Sequence, residues 1–325
     1  MDETPYVVYH PLGSESLIEG GVGVSAKQQR QAFDYADIRW TDDPTEQYDL
    51  VHLNFPGPRA VKTLRDARSE DIPVIVHAHS LGDNIAHTYR FSNALAPIFR
   101  RYLTWFFRRA DAVIAVSNAT QRRLEERGIT NTYVVSNGID TGNLDGFDDL
   151  AIESSESTVV NLAQVYNIKG VRDFVETAET FREAKFKWFG HKHPLLAPRS
   201  TKKLIREAPP HVEFPGFVDD KRRAFAIADV FFFPSHRETQ GISVLEAAYC
   251  RCPLVVRDIP ALEWLEDGRH CIKANTVEGF SQAIQRLLES EALRDRLQNN
   301  ARKLAKDHAL DKVGKNLREV YDDVY

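Results

Sequence analysis

The sequence predicts an α/β protein with parallel sheets, in two domains. Three observations lead there. Short apolar runs of four to five residues alternate with longer helical patterns along most of the 325 residues. Those runs are continuously apolar rather than alternating, the mark of strands covered on both faces. Midway, around residues 143–157, the pattern lapses into NLDGFDDLAIESSES, acidic and nearly without periodicity. That stretch reads as the link between two domains, a division the length allows.

The predicted strands run in order through residues 6–9, 50–54, 74–77, 112–116 and 133–136 in the first half. The second half supplies 159–163, 186–189, 230–233, 254–256 and 271–274. Helical patterns lie between many of them, such as 171–181 and 276–290. Residues 242–250 carry Val244, Leu245 and Ala248 toward a core. A charged helix pattern at 291–308 precedes a last one at 309–325. Ser117-Asn118 follows the apolar run ADAVIAV and can cap the helix beginning ATQRRLEERG.

Composition excludes several classes. Hydrophobic residues are 42% and charged residues 27%, ordinary for a globular chain. Apolar runs stay below the roughly 18 residues a transmembrane helix needs, and the acidic MDETPYVVYH lacks a signal-peptide pattern. A formal charge of −5 argues against nucleic acid as a partner. Three cysteines, Cys250, Cys252 and Cys271, suit a reducing cytoplasm and give no disulfide framework. Cys250-Arg251-Cys252 lacks the usual metal spacing, and no HExxH pattern occurs, so no metal is expected.

The most informative stretch is PSHRETQGISVLEAA, with Glu238 and Glu246 bracketing seven residues. Phe231–Pro234 ends a strand, Glu238–Gly241 is a turn, and a helix follows. Ligands of open α/β sheets bind outside the carboxyl ends of strands, which puts Glu238 at the functional rim. Gly241, Ile242 and Ser243 form the helix start, where amides and the helix dipole favour a phosphate. Glu246 lies about 7 Å down that helix at about 1.5 Å per residue. Two carboxylates at different depths beside an anion site suit a sugar nucleotide, with hydroxyls on both sides of a diphosphate. The spacing alone also fits a loop glutamate and a surface helix glutamate.

That stretch resembles the signature of the retaining glycosyltransferase family 4, two glutamates seven residues apart after a strand ending in Pro-Ser. The resemblance extends over almost the whole chain. It implies the GT-B fold: two Rossmann-like doubly wound domains facing a central cleft, with a C-terminal helix packing back on the first domain. The implied boundaries are residues 1–145, an acceptor-side domain; 146–308, a donor-binding domain; and 309–325, the returning helix. It also implies that Glu238 lies beside the donor hexose, that Glu246 binds the ribose, and that Gly241, Ile242 and Ser243 meet the diphosphate.

Before the first helix of the second domain the family carries an arginine and, five residues later, Lys-Gly. Here Lys169-Gly170 matches, while Gln164 stands in the arginine's place. A lysine neutralises a diphosphate as a point charge but lacks the bidentate fork of arginine. Arg237 or Lys192 is the expected compensation. Gly190-His191-Lys192 matches a donor-side loop, and Gly216-Phe217-Val218 a segment whose backbone, at Val218, meets the base.

In the first half, Gly21-Val22-Gly23-Val24-Ser25-Ala26 is a G-x-G-x-x-A pattern, a weak dinucleotide fingerprint. About ten residues separate it from the first strand, too many for a dehydrogenase. The resemblance makes Gly21 and Gly23 a loop that approaches the donor phosphates. Val76-His77-Ala78-His79-Ser80 ends a strand. The two histidines are read as facing alternately, so that one meets the ligand: His79 first, His77 second. The resemblance gives that histidine a contact to the donor sugar, beside Glu238 and Lys169 in the chemistry. Ser136-Asn137-Gly138-Ile139-Asp140 matches the family's hinge-side motif, and reads equally as a glycine turn.

Residues 90–109, RFSNALAPIFRRYLTWFFRR, carry five arginines and no acid. With Pro97 at a helix start, Arg100, Arg101, Thr104 and Arg108 share one face, and Trp105 lies near them. Ile98, Phe99, Tyr102, Leu103, Phe106 and Phe107 form the other. Such a helix fits either an anionic bilayer surface or a core. HAHSLGDNIAHTYRFSNALAPIFRRYL also resembles the acceptor side of bacterial enzymes that glucosylate diacylglycerol. The implied activity is transfer of a hexose, glucose from UDP-glucose, to a lipid or lipid-linked acceptor on the inner face of the cell membrane. The nucleotide sugar is then a substrate, and no cofactor is expected. A polysaccharide or glycoprotein glycan acceptor, a sugar-nucleotide epimerase and a non-catalytic sugar-nucleotide-binding protein are the alternatives.

Overall fold

A computed structural model describes residues 3–12, 21–82, 92–150, 156–181, 184–192 and 198–325. The chain divides into two compact units. Each is built on a six-stranded sheet whose strand pairs are all parallel.

The first unit holds β1 (Val7–Tyr9), β2 (Arg39–Thr41), β3 (Leu50–Leu53), β4 (Val74–Ala78), β5 (Ala112–Ala115) and β6 (Thr132–Val134). Their order across the sheet is β2-β1-β3-β4-β5-β6. β3, β4 and β5 are buried along their whole length, which is why they read as unbroken apolar runs. The helices are α1 (Gly21–Tyr35), α2 (Pro58–Ser69), α3 (Ser92–Phe107) and α4 (Asn118–Glu125), with α11 (Leu310–Val324) closing the chain. Ser117 caps α4, its hydroxyl accepting from the Thr120 amide at 3.2 Å. α11 packs on α1, where Gly314 leaves no room for a side chain: a Cβ there would stand 2.1 Å from the Ala32 carbonyl oxygen.

The second unit holds β7 (Thr158–Leu162), β8 (Lys185–Phe189), β9 (Val212–Gly216), β10 (Val230–Phe233), β11 (Leu254–Arg257) and β12 (Ile272–Ala274). Their order is β12-β11-β10-β7-β8-β9. Its helices are α5 (Val171–Ala178), α6 (Arg199–Glu207), α7 (Lys221–Ala226), α8 (Ile242–Tyr249), α9 (Val277–Glu289) and α10 (Glu291–Lys306). The core is aromatic: Phe174 meets Phe186, Trp188 and Phe232 at centroid distances of 5.4, 5.0 and 5.7 Å.

Three differences from the sequence reading have physical causes. β2 and β9 escape it because both are edge strands. RWT has little apolar content, and VEFPG contains a proline and a glycine that an interior strand would not tolerate. α3 begins at Ser92, so Pro97 lies inside it, on an exposed position. The stretch read as a featureless link is structured in its first half. Leu144 and Phe147 are buried, and the Tyr249 hydroxyl donates to Asp145 at 2.7 Å. Residues 151–155 of that stretch lie outside the described ones.

Candidate functional site

In the second unit the chain runs from β7 outward through β8 and β9, then returns to place β10 on the other side of β7. The crevice beyond the carboxyl ends of β7 and β10 is therefore the switch point where α/β sheets bind ligands. After β7, a short 3-10 turn (Asn167–Lys169) leads to Gly170 with φ of +83°. A Cβ on Gly170 would sit 2.2 Å from the Pro234 carbonyl oxygen, so only glycine lets the two turns touch. The His236 amide donates to the Ile168 carbonyl at 2.9 Å, joining the same two turns. Arg257, buried, donates to the Pro234 carbonyl at 2.9 Å and pairs with Asp173 at 3.1 Å. Asp173 also holds His236 at 2.9 Å.

This bracing brings Lys169 Nζ to 2.6 Å from Glu238 Oε1. The Glu238 side chain is only 9% exposed, against 25% for the lysine. Gly241, with φ of +85°, precedes the first turn of α8, and Ile242 and Ser243 follow. A helix start leaves its first amides without intrahelical acceptors, which suits an anion. Glu246 is buried, against the alternative reading of its spacing as that of a surface helix glutamate. Its Oε1 accepts from Lys221 Nζ at 2.7 Å, and its Oε2 has no partner.

The other residues expected on the donor side lie just beyond the ends of neighbouring strands. Gly190 follows β8, where a Cβ would stand 1.9 Å from the Ala163 carbonyl oxygen. Gln164 is exposed just beyond β7, and Val218 is half-buried beyond β9. Phe217 beside it is exposed and stacks on His191 at 4.5 Å. Lys192, expected to compensate for Gln164, lies beyond β8. Its ammonium is turned onto the Phe214 carbonyl at 2.6 Å, and burial lowers its pKa. Arg237 is exposed and already engaged.

The first unit has its own switch point, between β1 and β3. Four imidazoles gather there and in the adjoining interior. His10, His52 and His77 are buried. His52 and His77 stack at 5.5 Å, and His77 and His79 at 4.4 Å. The sequence reading of His77 and His79 as facing opposite ways is thereby corrected: residues two apart on a strand share a face. Gln29 spans His10 Nε2 and His77 Nδ1, each at 2.9 Å. The Asn54 amide bridges His10 Nε2 at 2.8 Å and His79 Nε2 at 2.6 Å. Burial holds the pKa of His10 and of His79 down to about 4 and lowers those of His52 and His77 well below the usual imidazole range, so all four are neutral at pH 7. Gly21 and Gly23, expected in a loop, lie in the first turn of α1, and Ser25 in the next turn donates to Asn137 at 2.8 Å. Glu19 and Gly20 fall outside the described residues.

On α3, Leu103, Phe106 and Phe107 are buried in the core, whereas Leu95 and Ile98 are exposed, 60% and 66%. The opposite side lines a shallow pocket of about 450 Å³ formed by Arg100, Arg101, Thr104, Trp105, Arg108, Arg109 and Arg127. Arg109 lies over the Trp105 ring at 4.2 Å. Arg90 lies outside the described residues. Among the described residues, no helix is long and apolar enough to cross a membrane, and no group of three His, Cys, Asp or Glu is placed to hold a metal ion.

The sequence reading missed Lys221, Arg257, Asp173 and the imidazoles of His10 and His52. No local pattern could have pointed to Lys221 or Arg257, whose partners are distant in sequence. His10, one residue past β1, carried a strand-end signal like that of His79.

Two doubly wound units, one with a lysine–glutamate ion pair and a helix start at its switch point, define an α/β protein with a candidate anion site in its second unit. The family description "Glycosyltransferase Family 4" matches residues 23–143, and "Glycosyl transferases group 1" matches residues 156–290. The chain is 32% identical to the processive diacylglycerol alpha-glucosyltransferase of Acholeplasma laidlawii, over 98% of both chains. It is 26% identical to the alpha-galactosylglucosyldiacylglycerol synthase of Streptococcus pneumoniae, over 83% of this chain and 77% of that one. Among solved structures, Anabaena HepE in complex with UDP-glucose superposes with a TM-score of 0.77 at 16% identity, covering 98% and 99%. The chain belongs to the family 4 glycosyltransferases and has the GT-B fold.

Proposed function

We propose that this glycosyltransferase moves glucose from UDP-glucose, with retention, to a diacylglycerol-type lipid at an anionic membrane surface. The observation that carries the donor side is the Lys169–Glu238 contact of 2.6 Å beside the start of α8. Lys169 and the amides of the Gly241 turn neutralise the diphosphate as it leaves, without a resident metal. Glu238, held by the lysine, faces the sugar as positive charge develops on it. Stabilising charge where it forms, in a site already ordered, is the dominant contribution such a site can make. The leaving diphosphate takes the acceptor's proton on the face it departs from, which retains the anomeric configuration.

The acceptor rests on separate support. The named activities of the relatives from A. laidlawii and S. pneumoniae concern diacylglycerol lipids. α3 presents arginines beside exposed Leu95 and Ile98, a combination suited to anionic headgroups on the inner face of a cell membrane.

The test is nucleoside diphosphate release by purified protein. UDP-glucose, UDP-galactose, UDP-N-acetylglucosamine and GDP-mannose are supplied separately, with EDTA, and with or without diacylglycerol in anionic vesicles. UDP release from UDP-glucose that requires the vesicles, with an α-linked product by NMR, is the expected result. A lipid-independent release would overturn the lipid acceptor, and a β-linked product the retention. Replacing Arg100, Arg101 and Arg108 by Glu should abolish flotation with the vesicles while leaving UDP binding intact.

A further inference from the structure

Lys221 was invisible in the sequence, yet it holds a buried carboxylate of the second unit. Its ammonium lies 2.7 Å from Glu246 Oε1, with the lysine side chain 32% exposed and the glutamate 5% exposed. Glu246 Oε2 is buried and has no hydrogen-bond partner. Buried polar atoms are almost always partnered, and a carboxylate oxygen left without a donor is costly. A purely structural ion pair would not need that vacancy. A carboxylate with one oxygen held by a cation and one in reserve is instead prepared for a hydroxyl donor. Rotation about its last bond exchanges the two oxygens.

The surroundings say which hydroxyl. Glu246 lies about one helical turn below the start of α8, where the donor reading places the diphosphate. Lys221 opens α7, three residues after Val218, in the loop that the same reading places at the base. Base, Lys221–Glu246 pair and diphosphate thus follow the covalent order of a nucleotide, with the pair in the ribose position. We propose that Lys221 is a positioning and specificity-determining residue. It orients the Glu246 carboxylate to accept from a ribose hydroxyl and so makes the site prefer a ribonucleotide to its deoxy counterpart. The ammonium, partly exposed, has further N–H groups to donate to the neighbouring hydroxyl oxygen, so the pair reads a vicinal diol as acceptor and donor together.

The inference rests on the donor reading above, and the experiment separates the two. Calorimetric titration of the full chain with UDP, GDP and ADP comes first, followed by 2′-deoxy-UDP and 3′-deoxy-UDP. The native protein should bind UDP about tenfold to a hundredfold more tightly than at least one deoxy analogue, the range of one hydrogen bond to a charged group. Lys221→Ala should lose about tenfold in UDP affinity but bind that analogue as the native protein does, so that the preference collapses. Lys221→Arg should restore the preference. Glu246→Gln, with the lysine retained, should weaken it in the same way. A merely structural lysine would weaken UDP and its deoxy analogues equally. If Lys221→Ala loses its folded circular dichroism, the Lys221→Gln and Glu246→Gln proteins carry the comparison. Binding of UDP with an unchanged ribose preference in the lysine variants overturns this proposal alone. Failure of every nucleoside diphosphate to bind the native protein overturns the donor reading and this proposal with it.

Discussion

Acidification from pH 7 to pH 5 should weaken the first unit selectively, and the magnitude can be worked from His10. This imidazole is fully buried and ringed by Gln29, Asn54 and the Arg30 guanidinium, which lies 3.4 Å from Nδ1. Burial lowers its pKa from 6.5 to about 4, with Arg30 adding to the effect and Asp42 opposing it. A base whose folded pKa is depressed binds its proton more readily in the unfolded chain. The stability it contributes is therefore whole above pH 6.5 and lost progressively as the pH falls toward 4. At about 1.4 kcal/mol per pH unit, the interval from 6.5 to 5 costs about 2 kcal/mol for His10 alone. His52 and His77, also buried and also lowered, act in the same direction. Hydrogen exchange read by mass spectrometry at pH 7 and pH 5, corrected for intrinsic exchange rates, measures the loss peptide by peptide. Peptides from β1, β3 and β4 should lose about 2 kcal/mol of protection or more. Those from β7 and β10, with no buried histidine among them, serve as the internal reference. Equal protection at both pH values in β1 and β3 would refute the account of His10 as a buried neutral base.

Three further outcomes follow from single contacts. Gly170→Ala sets a methyl 2.2 Å from the Pro234 carbonyl at a φ of +83°, so it should lower the melting temperature and weaken UDP binding together, the backbone strain alone costing about 1–2 kcal/mol. Tyr321→Phe removes the hydroxyl 2.6 Å from His52 Nδ1 and leaves a buried ring nitrogen without a partner; a shift of the urea midpoint corresponding to about 1–3 kcal/mol is expected, with sugar transfer per folded molecule unchanged. Lys169→Ala leaves the nearly buried Glu238 carboxylate without its cation, and kcat with UDP-glucose should fall about a hundredfold, a loss typical of removing one group that stabilises transition-state charge.

What the sequence revealed and what it hid differ by the distance over which each signal acts. Interior strands such as Val74–Ala78 and Val230–Phe233 announce themselves because burial on both faces leaves an unbroken apolar run. The edge strands Arg39–Thr41 and Val212–Gly216 are not under that constraint and look like loops. Within the site, Glu238, Gly241 and Glu246 belong to one turn and one helix, so their spacing is a local property that a sequence carries whole. Lys169 and Lys221 belong to other connections. Each meets its glutamate only because β10 inserts beside β7, bringing a residue 69 positions away to 2.6 Å in one case and one 25 positions away to 2.7 Å in the other. Lys169 could still be recognised, because Lys169-Gly170 matches the Lys-Gly of the family it resembles, and the structure shows that the close approach of two turns requires that glycine. Lys221 has no such marker, and its pairing emerges only from strand order. The same reasoning explains the histidines. Strand periodicity, correctly applied, places His77 and His79 on one face, but that His10 and Asn54 complete their network is set by the neighbouring strands β1 and β3. The chemistry that a single turn supplies is thus readable in advance, and the charges that tune it are assigned by topology.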